Sequence, residues 1–122
     1  MTNFYWTAYD RQQFAARHLL ETADSTQLHN HNLFWPAGTT LTQVEEYIYQ
    51  ALATTSLTLP SAGNLGHGLG IYEVQLENGI KLRLGINSNG RVVLAQPLNG
   101  PYVIRATLTQ ARLLFNHLHS SQ

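Results

Sequence analysis

The run IYEVQLENGIKLRLGINSNGRVVLAQP, residues 71–97, alternates apolar and polar side chains in three segments. Asn78-Gly79 and Asn89-Gly90 separate the segments. Period-two alternation marks strands with one buried face, and Asn-Gly supplies the left-handed backbone that hairpins need. The run therefore predicts an antiparallel β-meander. Its register follows from which side chains must share the core. A two-residue turn at Asn78-Gly79 would oppose Glu73 to Leu84, charge against core. A three-residue loop, Glu77-Asn78-Gly79, instead pairs Leu76 with Ile80, Val74 with Leu82 and Tyr72 with Leu84. A slip of one residue would flip every side chain, so the second register is expected. The same reasoning at Ser88-Asn89-Gly90 pairs Ile86 with Val92, Leu84 with Leu94 and Leu82 with Gln96. The opposite face then carries Glu73, Lys81, Arg83, Arg91, Val93 and Ala95.

Helical patterns flank the meander. DRQQFAARHLLETAD, residues 10–24, predicts a helix with Asp10 as N-cap, and Phe14 and His18 on one face. Thr40 and Gln43 form a capping-box pattern ahead of the stripe Leu41, Val44, Ile48, Ala51 and Leu52. A last helix is expected from Thr107, with Leu108, Ala111, Phe115 and Leu118 at helical spacing. PYVIRA, residues 101–106, reads as a short edge strand, and residues 54–70 as a long functional or mobile loop. The expected architecture is α+β in one domain, residues 1–122. Two N-terminal helices pack on a twisted antiparallel meander of three to four strands, and a C-terminal helix follows.

Composition narrows the chemistry. Seven Lys and Arg balance seven Asp and Glu, so no long-range field steers a polyanion to the chain, and any nucleic-acid site must be a local patch. Cysteine is absent, which removes disulfides, thiolate metal sites and cysteine nucleophiles. No apolar run is long enough to span a bilayer, so a soluble chain with no membrane partner is expected.

Six histidines stand out against that sparse charge. Imidazole is the side chain suited to both accepting and donating protons near pH 7. In QLHNHNLFWP, residues 27–36, His29 and His31 alternate as on a strand and project to one side. That spacing could chelate a soft divalent ion, but the neighbourhood offers no third ligand, so no metal or other cofactor is assigned. His117 and His119 suit the C-terminal end of a helix, and His67, between two glycines, suits a solvated loop. His18 has a bland reading as a satisfied core-edge histidine. Lys81 and Arg83 have one as solvated sheet residues paired with Gln75 and Glu73.

Taken together, histidines near the N-terminal side and cations on an open sheet face are the parts required for metal-independent RNA cleavage. One imidazole takes the ribose 2′-OH proton, another protonates the leaving 5′-oxygen, and cations stabilise the charged phosphorus centre. Tyr72, Trp35 or Tyr102 could stack on a base.

The order of these parts resembles the bacterial ribonuclease toxin domains of the barnase–EndoU–colicin–RelE superfamily, especially its EndoU-like and RNase A-like members. Arg17-His18 matches their helical Arg-His element. LFWPAGTTLTQVEEYIYQAL matches the segment leading into an amphipathic helix, and GIYEVQLENGIKLRLGINSNGRVVLAQP matches the closing meander. The resemblance covers residues 14–97. It departs where Leu94, Ala95 and Gln96 stand in place of a strand-end hydroxyl, and in lacking a Gly-Gly-His element. It implies a small endoribonuclease that binds RNA, with His18 as first histidine, His31 or His29 as second, and Lys81 or Arg83 as sheet cation. Arg91 and Tyr72 complete the expected substrate contacts. A cognate immunity protein is the implied protein partner. The location implied is cytoplasmic, or delivery as the C-terminal domain of a secreted toxin. The rival reading is a non-catalytic interaction module such as an immunity protein or adaptor, which the neutral surface suits.

Overall fold

A computed structural model of the chain describes residues 4–54 and 68–120, apart from the side chains of residues 25, 54, 115 and 118–120. His67 and most of the expected 54–70 loop lie outside the described residues, as do the side chains of Phe115, Leu118 and His119. The fold is α+β. Helices α1 (Ala8–His18) and α2 (Leu41–Thr54) precede a three-stranded antiparallel sheet, and helix α3 (Leu108–Ser120) ends the described chain. In chain order the strands are β1 (Asn32–Phe34), β2 (Leu69–Gln75), β3 (Lys81–Asn87), β4 (Val92–Asn99) and β5 (Ile104–Ala106). The meander is β2-β3-β4.

Its first hairpin has the expected register. Tyr72 lies opposite Leu84 and Val74 opposite Leu82, and the Leu76 N–H donates to the Ile80 carbonyl at 2.8 Å. Gly79 takes the left-handed conformation (φ +89°) that the three-residue loop requires. The second hairpin starts as expected, with Ile86 opposite Val92, and then departs. A bulge after Ile86 places Gly85 opposite Leu94, Leu84 opposite Ala95 and Arg83 opposite Gln96. The cause is steric. A Cβ on Gly85 would lie 2.9 Å from the Leu94 Cβ, so the bare glycine backbone is what allows the strands to meet there. The extra residue reverses the expected faces of β4. Ala95 and Pro97 enter the core, while Leu94 and Gln96 join Arg83 on the other face.

Helix α2 is built as its sequence predicts. The Gln43 side chain accepts from the Thr40 N–H at 2.8 Å, and Thr40 Oγ1 accepts from the Gln43 N–H at 3.1 Å. Val44, Ile48 and Ala51 are fully buried. Helix α1 starts three residues earlier than expected. Thr7 is its N-cap, and Asp10 is the third helical residue of a capping box rather than the cap itself. Trp6 and Arg11 both donate to Glu45, at 2.8 and 3.0 Å, which ties α1 to α2.

The segment expected as an edge of the meander pairs elsewhere. Strand β5 is antiparallel to β1, with Asn32 opposite Ala106 and Phe34 opposite Ile104. This ribbon and α3 close a second apolar cluster of Leu20, Ala23, Phe34, Ala106 and Ala111. The main cluster joins Phe14, Trp35, the α2 stripe and the buried face of the meander.

Candidate functional site

Where α1 ends, three short elements converge on the margin of β4. Helix α1 stops at His18, and the Trp35 N–H donates to the His18 carbonyl at 2.9 Å, anchoring the helix end beside β1. The 28–32 loop is held from within by Asn32, a buried polar side chain. Asn32 Oδ1 accepts from the His29 N–H at 2.9 Å. Asn32 Nδ2 donates to the His29 carbonyl at 2.6 Å and to the Ala106 carbonyl at 3.2 Å. One amide thus fixes the loop and ties it to β5. His29 and His31, both carried by this loop, are exposed.

These elements enclose a cleft of about 230 Å³ lined by Arg17, His18, His29, His31, Gln27 and Gln96, with Leu33 and Leu94 among its apolar walls. The three histidines singled out from the sequence therefore face one cavity. Among the described residues, no Asp or Glu lines it.

His18 differs from its neighbours. Its Nδ1 lies 2.8 Å from the Leu33 carbonyl oxygen, which can only accept, so Nδ1 carries the proton and Nε2 keeps its lone pair. Burial pushes its pKa down to about 4, with the nearby Arg17 charge adding to that, while the Leu33 hydrogen bond opposes it. At pH 7 the ring is neutral, oriented by a backbone carbonyl, and able to accept a proton at Nε2. Arg17 is itself positioned, its Nε donating to Gln27 Oε1 at 3.1 Å. Gln27 is held in turn by Asp24 Oδ2 at 3.1 Å.

The expected cations divide. Arg83 lies opposite Gln96 on the neighbouring strand but does not line the cleft. Its Nη2 donates to Glu73 at 3.1 Å, while its Nε is buried without a hydrogen-bond partner. Lys81 is two residues further along β3, opposite Asn99, and does not line the cleft. Arg91 is committed elsewhere. Its guanidinium grips the buried Asp10 carboxylate through Nε at 2.8 Å and Nη2 at 2.9 Å. Burial pushes the Asp10 carboxyl up, but hydrogen bonds from Arg91 and Thr7 outweigh it and hold the pKa below the ordinary value. That pair fastens α1 to the start of β4, a structural task instead of the substrate contact expected for Arg91.

The expected stacking residues are also placed differently. Tyr72 packs on the core side of the sheet, away from the Arg83 face. Trp35 is fully buried and stacks on Tyr47 with ring centroids 5.2 Å apart. Tyr102 is exposed but lines a different hollow, with Tyr47 and Pro36.

Sequence reading missed three lining residues as contributors: Arg17, Gln27 and Gln96. Arg17 was legible as a cation one residue before His18. Gln96 became visible only with the bulge. Among the described residues, no group of three or more His, Asp or Glu side chains is arranged to hold a metal ion. No family model, curated protein or solved structure matches this chain.

Proposed function

We propose that the protein is a small endoribonuclease of the toxin type, cleaving RNA by transesterification with histidine acid–base catalysis. The observation that carries this reading is the convergence of His18, His29 and His31 with Arg17 in one cleft free of carboxylates. His18 Nε2 takes the proton from a ribose 2′-OH. The 2′-oxygen attacks phosphorus, the bond from phosphorus to the 5′-oxygen breaks, and His31 delivers a proton to that oxygen. The products are a 2′,3′-cyclic phosphate and a free 5′-hydroxyl. Arg17 stabilises charge on the non-bridging oxygens, with Gln96 hydrogen-bonding alongside.

A base with a pKa of about 4 is weak at pH 7 in the empty cleft. Substrate changes that. A phosphate charge ~4 Å from an imidazole favours its protonated form by about 4 kcal/mol at the effective dielectric near a protein surface, or ~3 pH units. The bound anion thus brings His18 into the range suited to neutral-pH proton transfer. His29 is the alternate acid. Purified His18→Ala and His31→Ala proteins are expected to cleave RNA about 100-fold or more slowly than wild type. His29→Ala is expected to be near wild type. A reversal of His29 and His31 reassigns the acid, and full activity in His18→Ala removes the mechanism.

A second reading has its own observation. Tyr5, Tyr9 and Tyr49 are exposed, and Tyr49 packs on Trp6 with ring centroids 4.9 Å apart. Exposed aromatic clusters suit protein contacts, as for an interaction module or the docking face of an immunity partner. Intact RNA with folded wild-type protein at every pH would favour the module.

A further inference from the structure

A second cleft, of about 400 Å³, lies against the first. It is lined by His31, Asn32 and Leu33 from β1 and its approach, and by Arg105, Thr107 and Gln110 where β5 passes into α3. The two clefts share His31, Asn32 and Leu33, so β1 forms the ridge between them and His31 stands on that ridge.

The charges of this pair of clefts are one-sided. The chain as a whole has seven basic and seven acidic side chains. Yet the two clefts gather Arg17, Arg105 and three histidines, and among the described residues neither is lined by an Asp or Glu. Arg105 is steadied by donation from Nη2 to the Leu98 carbonyl at 3.0 Å, and among the described residues no ion pair to a carboxylate engages it. The start of α3 is already capped by Thr107 and Gln110, each accepting the other's backbone N–H, so Arg105 supplies the cleft's full charge. Cations in two adjoining clefts suit a chain of phosphates better than a single anion.

We propose that the Arg105 cleft is a second phosphate subsite, which holds the nucleotide neighbouring the one cleaved and makes the protein selective for single-stranded oligonucleotides over dinucleotides. This rests on the ribonuclease reading of the first cleft. The scissile phosphate sits between Arg17 and His18, the strand crosses the β1 ridge beside His31, and the adjacent phosphate meets the Arg105 guanidinium.

The test uses binding, so that it does not depend on turnover. Fluorescence anisotropy compares a dye-labelled dinucleotide with a tetranucleotide, both with 2′-deoxyribose at the scissile position, in the full chain and in Arg105→Gln and Arg17→Gln variants. The tetranucleotide is expected to bind wild type about tenfold more tightly, the scale of one charge-assisted hydrogen bond. Arg105→Gln should remove that advantage and leave dinucleotide affinity unchanged, which also shows that the variant is folded. Arg17→Gln should weaken both ligands. Equal loss for both ligands in Arg105→Gln, or no loss for either, overturns the subsite. Wild type that binds neither ligand overturns the subsite and the nuclease reading together. Length-dependent binding that needs Arg105, with no cleavage of all-ribose RNA, supports the subsite and removes the nuclease reading alone.

Discussion

His18 owes its character to its Nδ1. Donation to the Leu33 carbonyl at 2.8 Å fixes the tautomer, and burial keeps the ring neutral with a pKa of about 4. The consequence for stability has a definite sign. Unfolded histidine titrates near ~6.5, so between that pH and about 4 the unfolded chain binds a proton that the folded chain refuses. Stability is complete above ~6.5 and declines as pH falls through the folded value, by up to about 3 kcal/mol. Urea unfolding from pH 7 to pH 4 should show this decline in wild type and a flatter curve in His18→Gln. Parallel curves would mean that the ring is not buried neutral. Asp10 adds a second acid-sensitive term. Its carboxyl is held below its ordinary pKa by Arg91 and Thr7 against the effect of burial, so its contribution is lost only as pH falls through that depressed value. Asp10→Ala removes a buried carboxylate and half of the α1 capping box, while the Arg91 it leaves is one-third exposed and can hydrate. A cost of about 2 kcal/mol is expected, between the values for exposed and buried pairs, read from the urea midpoint at pH 7.

At the scale of elements, the meander was legible where its determinants are local. The Asn-Gly turns and the alternation of β2 and β3 fixed one hairpin completely, and the Thr40–Gln43 capping box with its apolar stripe fixed α2. Strand β4 was legible only as far as Val92. Its bulge depends on Gly85 meeting Leu94 across the sheet, a contact between strands that no pattern along one strand encodes. Strand β1 escaped because three residues are too few to show a period, and its partner β5 was therefore assigned to the wrong sheet. The same bulge delivers Gln96 to the cleft, so it can be tested through function. Gly85→Val forces side chain into the Leu94 Cβ and should destabilise the fold by about 2 kcal/mol. It should also slow RNA cleavage under conditions where circular dichroism shows the variant folded, because β4 must shift to relieve the clash. Unchanged stability and cleavage would show that the bulge does not need the glycine.

For the whole molecule, a net charge of zero conceals an uneven distribution. Carboxylates are spent on architecture: Asp10 on Arg91, Glu45 on Trp6 and Arg11, Glu73 on Arg83. The clefts on either side of β1 keep two arginines and three histidines, with no acid among the described residues that line them. Composition could not reveal this, because a sum over the chain says nothing about where a fold puts its charges. The histidine candidates were legible as residue types, and their meeting was not, since His18 and His31 reach one cavity only through the Trp35–His18 backbone bond and the Asn32 anchor. The central claim is that this meeting performs acid–base cleavage of RNA. Its most direct test is the product chemistry of mixed RNA treated with purified protein in EDTA, beside a His18→Ala/His31→Ala double variant. The account predicts EDTA-resistant cleavage that leaves 2′,3′-cyclic phosphate and 5′-hydroxyl ends and is lost in the double variant. Cleavage retained by the double variant, or RNA left intact by folded wild type, would contradict it.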